Sequence, residues 1–215
     1  MLVKICGIND EVAMRAAADA GADMIGFVFV PASPRAVTPA QAGALSALLA
    51  GGPQRVGLFV DAADDLIAAV LAAVKLDILQ LHGEETPARC AMVGQTFGLP
   101  VMKALGIAHA EDFAVLADYA PVVDRFLLDA KAPPGAALPG GNAAPFDWTL
   151  TAGRAMARPW PRPWLLAGGL TPGNVAQAIR VSDAPGVDVS SGVERARGVK
   201  DPGLIAAFVA AAKTP

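Results

Sequence analysis

Leu2-Val3-Lys4-Ile5-Cys6-Gly7-Ile8-Asn9-Asp10 opens the chain, and the fold is read outward from it. A short apolar run delivers a cysteine onto a glycine turn, and Asn9-Asp10 then starts a helical pattern. That is how a strand presents a side chain at its carboxyl end, where parallel α/β proteins keep their chemistry. Taken alone, Cys6 reads first as a small buried hydrophobe, as most free cysteines are. The remaining runs separate the two readings.

Eight short apolar runs are strand candidates, at 2–6, 24–29, 55–60, 78–82, 101–105, 125–129, 164–167 and 187–190. Ala-rich amphipathic stretches lie between them. Thr38-Pro39, Thr86-Pro87, Thr171-Pro172 and Asp201-Pro202 each pair a capping side chain with a proline, whose missing N–H costs nothing at the first helical position. Strand followed by helix eight times in series predicts an α/β fold, a single-domain (β/α)₈ TIM barrel over 1–215. A doubly wound open sheet competes, but nothing after the first strand resembles a dinucleotide fingerprint. The Pro/Gly/Ala stretch 131–145 has a linker's composition, yet cutting there leaves two incomplete barrels. It reads as a mobile loop over the active face, followed by a helix from near Phe146.

The chain is 54% hydrophobic with a mean hydropathy of +0.45, enough for a large core. A net charge of −3 with no basic run argues against a nucleic-acid surface. The two cysteines are too few for a disulfide scaffold. No charged segment leading into an apolar one opens the chain, and no apolar stretch has the roughly 20 residues that cross a bilayer. The expectation is a soluble, cytoplasmic protein with no membrane partner, acting as a monomer or a homodimer.

In a barrel the strand ends converge on one mouth. In chain order they carry Cys6, Arg35, Asp61, His82, Asp129, Gly168-Gly169, and Asp188 with Ser190-Ser191-Gly192. Asp61 stands where it would cap the third helix, His109 reads as a solvated loop residue, and Cys90 as core. Asp129 ends an apolar run, so it either enters the mouth or is buried at cost. Gln80 and His82 alternate with leucines and share a face, pointing inward if the barrel holds. The glycines after the seventh and eighth strands fall at the usual phosphate site of this fold, where backbone N–H groups bind an anion without lysines. No spacing suggests a metal ligand set, and no cofactor is expected. A thiol and a carboxyl across one mouth suit proton transfer between carbon and oxygen, an isomerase task.

The chain resembles the phosphoribosylanthranilate isomerase family from end to end. The markers are Lys4-Ile5-Cys6-Gly7, Gly26-Phe27-Val28-Phe29 with Ser33-Pro34-Arg35, Gln80-Leu81-His82-Gly83, Leu127-Leu128-Asp129, Phe146-Asp147-Trp148, Leu166-Ala167-Gly168-Gly169-Leu170, and Asp188-Val189-Ser190-Ser191-Gly192-Val193-Glu194. The resemblance implies an Amadori rearrangement of a phosphorylated aminoaldose in tryptophan biosynthesis. It implies Asp129 as general acid and Cys6 as general base. Gly168, Gly169, Ser190, Ser191 and Gly192 would surround the phosphate. Arg35, Gln80, His82 and Asp188 would bind the rest of the substrate, the guanidinium suiting a carboxylate. Lys4, two residues back on the same strand face, would lower the thiol pKa if it points inward. One departure is Gly140-Gly141-Asn142-Ala143, where the family usually carries Gly-Gly-Thr-Gly. The rivals are another sugar-phosphate barrel enzyme and a non-catalytic phosphate-binding barrel. The second accounts for the glycine loops but not for Cys6 and Asp129 at separate strand ends.

Overall fold

The computed structural model describes residues 1–131, 147–152 and 160–214. Eight parallel strands close into a barrel: β1 (Leu2–Cys6), β2 (Met24–Val28), β3 (Gln54–Phe59), β4 (Ile78–Leu81), β5 (Val101–Ile107), β6 (Arg125–Ala130), β7 (Trp164–Leu166) and β8 (Gly186–Val189). β8 pairs with β1, so no strand edge is left open. Among the described residues the helices are α1 (Glu11–Asp19), α2 (Pro39–Ala47), α3 (Asp64–Ala73), α4 (Pro87–Phe97), α5 (Leu116–Tyr119), α6 (Val175–Ser182) and α7 (Pro202–Lys213). The expected loop at 131–145 and the helix from near Phe146 fall almost entirely outside the described residues. Trp148–Leu150, just beyond, form a single 3₁₀ turn. Among the described residues no helix is long and apolar enough to cross a membrane.

The caps explain where the helices begin. Asp10, Thr38, Thr86 and Asp201 each accept a backbone N–H three residues on, and the last three are followed by proline at the first helical position. Thr171-Pro172 differs: it opens a turn, and α6 starts only at Val175. Asn174 folds back there, its Oδ1 accepting from Thr171 N–H and its Nδ2 donating to the Gly169 carbonyl. Asp61 is the second correction. It caps no helix; its left-handed backbone (φ 47°) directs Oδ1 onto the Glu84 N–H, so it braces the loop after β4.

Strand alternation sorts the side chains into two cores. One face of each strand packs outward against the helices, with Val3, Ile5, Ile25, Phe27, Leu79 and Phe126 fully buried. The other fills the barrel interior: Met24, Val56, Ile78, Met102, Leu127 and Leu165 form one layer, with Cys6, Val28 and Leu58 in a separate cluster. Lys4 and Gln80 belong to the inner face as well, and both are fully buried.

Candidate active site

Cys6 ends β1 and is 4% exposed. The chain leaves it through Gly7 at φ 79°, a left-handed turn in which a Cβ would press on the Arg35 side chain. Lys4 does point inward. Its ammonium donates to Asp188 Oδ1 at 2.7 Å, from the register partner on β8, and it also acts on the Cys6 thiol. Burial pushes the thiol up and outweighs Lys4, which pulls it down, so the thiol sits above its ordinary value. Asp188, expected at the substrate, is thereby the buried counter-ion of Lys4.

Asp129 lies near the end of β6 at 9% exposure. Its Oδ1 accepts the Ala130 N–H at 2.8 Å, and its Oδ2 stands 3.4 Å from His82 Nε2. Gln80 lies behind His82, with Nε2 at 2.9 Å from Nδ1 of the ring. The alternation that set Gln80 and His82 on one face thus produces a row running from Gln80 through His82 to Asp129. Gly168 packs against this row, since a Cβ there would meet the Ala130 amide and Asp129 Oδ1. Cys90 is core in α4, where burial pushes its thiol to about 11. His109 is an exposed loop residue, as expected.

Gly168 and Gly169 take left-handed conformations at φ 83° and 64°, and Ser191–Val193 wind into one 3₁₀ turn. Among the described residues, the N–H groups of Gly168, Gly169, Ser191 and Gly192 donate to no protein acceptor. Gly192 approaches so closely that a Cβ on it would land on the Leu170 carbonyl. The loops after β7 and β8 can therefore approach this closely only because Gly192 has no side chain. Ser190 is turned the other way, its hydroxyl donating to the Cys6 carbonyl.

Arg35 is buried, and Glu194 already grips it, with Nε to Oε1 at 2.7 Å and Nη2 to Oε2 at 3.1 Å. Glu194 begins β9 (Glu194–Ala196), which forms a hairpin with β10 (Val199–Lys200). Lys200 Nζ donates to the same Glu194 Oε1 and to the Ser190 carbonyl. Neither Glu194 nor Lys200 was given a role from sequence. Glu194 meets Arg35 from far along the chain, and its nearby partner Lys200 reaches it only through the hairpin between them, so no spacing rule links them. Burial opposes the Glu194 charge, but Arg35 and then Lys200 outweigh it and hold the carboxyl down at about 2. A depressed carboxyl contributes stability above its unfolded value and loses it as pH falls through the folded one. Between pH 4.5 and about 2, then, wild type should lose on the order of 3 kcal/mol that Glu194→Gln does not. Denaturant titrations of both proteins across that window measure the difference; parallel curves would show that the clamp contributes nothing.

The closed eight-stranded parallel barrel is a TIM barrel, and the thiol, carboxyl and unpaired backbone donors at the carboxyl ends of its strands suit the proton transfers of an isomerase. The N-(5'-phosphoribosyl)anthranilate isomerase family model matches residues 3–211. The isomerase of that name from Paracoccus denitrificans is 56% identical over 213 residues, covering 99% of this chain and 97% of its own. That of Rhodospirillum rubrum is 55% identical over 216 residues, covering 99% and 97%. The crystal structure of the Thermotoga maritima enzyme superposes with a TM-score of 0.87 at 36% identity, over 100% of both chains. A crystal structure of phosphoribosyl anthranilate isomerase in complex with reduced 1-(o-carboxyphenylamino)-1-deoxyribulose 5-phosphate gives 0.84 at 35% identity, again over 100% of both. The chain belongs to the N-(5'-phosphoribosyl)anthranilate isomerase family of tryptophan biosynthesis.

Proposed function

We propose that the chain converts N-(5-phosphoribosyl)anthranilate to 1-(2-carboxyphenylamino)-1-deoxyribulose 5-phosphate, with Asp129 as general acid and Cys6 as general base. One observation carries the residue assignment: a thiol and a carboxyl, both almost wholly buried, sit at the carboxyl ends of two strands of one barrel. Asp129 gives its proton to the ribose ring oxygen, the C1–O bond breaks, and the nitrogen lone pair makes the iminium. The Cys6 thiolate takes the C2 proton, and those electrons neutralise the iminium to give an enolamine. The Asp129 carboxylate takes the enol O–H proton and the Cys6 thiol gives its proton to C1, which completes the ketone and returns both groups to their starting states. Lys4 supports the thiolate with positive charge, and Asp188 keeps that ammonium in place.

The unpaired N–H groups of Gly168, Gly169, Ser191 and Gly192, with Ser190 beside them, take the phosphate. Arg35 and His82 face the anthranilate end, and Gln80 and Asp188 stand behind the residues in contact. No metal or cofactor takes part. All these groups lie on one chain, so a monomer and a homodimer serve alike. The crystal structure of monomers of the dimeric Thermotoga maritima enzyme covers 100% of this chain at a TM-score of 0.83. The working compartment is the cytoplasm.

Turnover of substrate generated in situ from phosphoribosyl pyrophosphate and anthranilate tests the activity, and a folded protein that leaves it untouched would overturn it. The phosphate assignment has its own test. Gly192→Ala drives a methyl into the Leu170 carbonyl and pushes the two loops apart. KM should rise more than kcat falls, because the phosphate is held in ground and transition states alike. An unchanged KM would move the phosphate elsewhere.

A further inference from the structure

We infer that Gln80 is a positioning residue for the acid step: it holds the His82 imidazole in the tautomer whose Nε2–H faces Asp129. The inference rests on Asp129 being the acid. Gln80 has no exposed surface, its Nε2 lies 2.9 Å from His82 Nδ1, and its Oε1 is buried with no partner. A ring nitrogen that receives an amide N–H must present its lone pair, so the proton of the neutral ring sits on Nε2. His82 Nε2 stands 3.4 Å from Asp129 Oδ2, so this tautomer puts its N–H beside the oxygen where negative charge appears once Asp129 has given up its proton.

Turning the amide over would place Oε1 against Nδ1, which must then carry the proton. It would also leave a buried amide nitrogen without an acceptor. The observed orientation leaves only a carbonyl oxygen unpaired, the less costly orphan.

The consequence lies in the charge that develops on Asp129. When the carboxyl gives up its proton, Oδ1 is already held by the Ala130 N–H and Oδ2 faces a preset donor. At 3.4 Å that second contact is slack in the resting enzyme. A charge-assisted bond closes to about 2.7–2.9 Å, so it strengthens as the negative charge appears. An interaction stronger in the transition state than in the ground state raises kcat rather than lowering KM.

The chain has two histidines, so the ring nitrogens of His82 are readily assigned by ¹⁵N labelling, with His82→Asn as the reference. At a pH of about 8.5, above the ordinary imidazole range, long-range ¹H–¹⁵N spectra should show His82 protonated on Nε2 and bare on Nδ1. Gln80→Glu supplies an acceptor instead and should put a proton on Nδ1. Gln80→Glu and Gln80→Leu should each lower kcat about ten- to a hundredfold with KM within about threefold, the range for losing a bond to a charged group. Wild-type Nδ1 carrying a proton overturns the inference, even if no Gln80 variant folds. So does a Gln80→Glu enzyme with the tautomer switched and kcat intact. Full kcat in Asp129→Asn with the Nε2–H tautomer present would instead remove the acid assignment and leave the tautomer lock standing.

Discussion

Asp129→Asn and Cys6→Ser are each expected to abolish turnover while the barrel still folds. The reaction needs one proton delivered to the ring oxygen and one removed from C2, and each variant removes one of these transfers. A positioned acid or base contributes typically about 10²–10⁴-fold, so kcat should fall at least that far. The fold should survive for local reasons. An asparagine amide oxygen can still accept the Ala130 N–H that Asp129 Oδ1 now holds. Serine nearly matches cysteine in volume, and the Ser190 hydroxyl contacts the Cys6 carbonyl rather than its thiol. Steady-state kinetics together with circular dichroism check both variants. A folded variant with wild-type kcat would strip that residue of its role.

Lys4→Met should show two losses with one cause. The Lys4 ammonium is 0% exposed and paired with Asp188 at 2.7 Å, so methionine leaves a buried carboxylate without its counter-ion. Breaking a buried pair by removing one partner costs about 3–5 kcal/mol, visible as a lower denaturant midpoint. The second loss is kinetic. Burial already holds the Cys6 thiol above its ordinary value, and Lys4 is the largest influence pulling it down. Wild-type kcat/KM, which reports free-enzyme pKa values, should therefore climb with pH beyond neutrality as the thiol ionises. Without Lys4 that limb should move to still higher pH, lowering kcat/KM at neutral pH. A stable Lys4→Met enzyme with an unmoved pH profile would show that the ammonium serves neither the pair nor the thiol. Lys4→Met/Asp188→Asn removes both charges, so it should recover stability, while the profile returns only part of the way, because Asp188 raises the thiol by less than Lys4 lowers it.

The sequence by itself determined the barrel, because the information is local. Eight apolar runs separated by amphipathic stretches recur in order, and each observed strand lies within about two residues of its run, the usual error at element ends. Asp10, Thr38, Thr86 and Asp201 cap helices through bonds that span three residues. The placing of Cys6, His82 and Asp129 at strand ends follows from the same short-range pattern. Thr171 and Asp61 look like caps in sequence but serve turns and loops, since side chains elsewhere compete for the same backbone groups.

Only the tertiary structure decided what the buried charges do. Lys4 meets Asp188 because closure of the barrel makes β1 and β8 neighbours. Arg35 meets Glu194, and Lys200 joins them, through a hairpin whose ends carry no pairing signal along the chain. A buried ion must find its partner across the fold to offset lost hydration, so such pairs are contacts between elements, not between positions in a motif. The residues that carry out the chemistry are written in local patterns, while their protonation and orientation are set by neighbours that closure alone brings together.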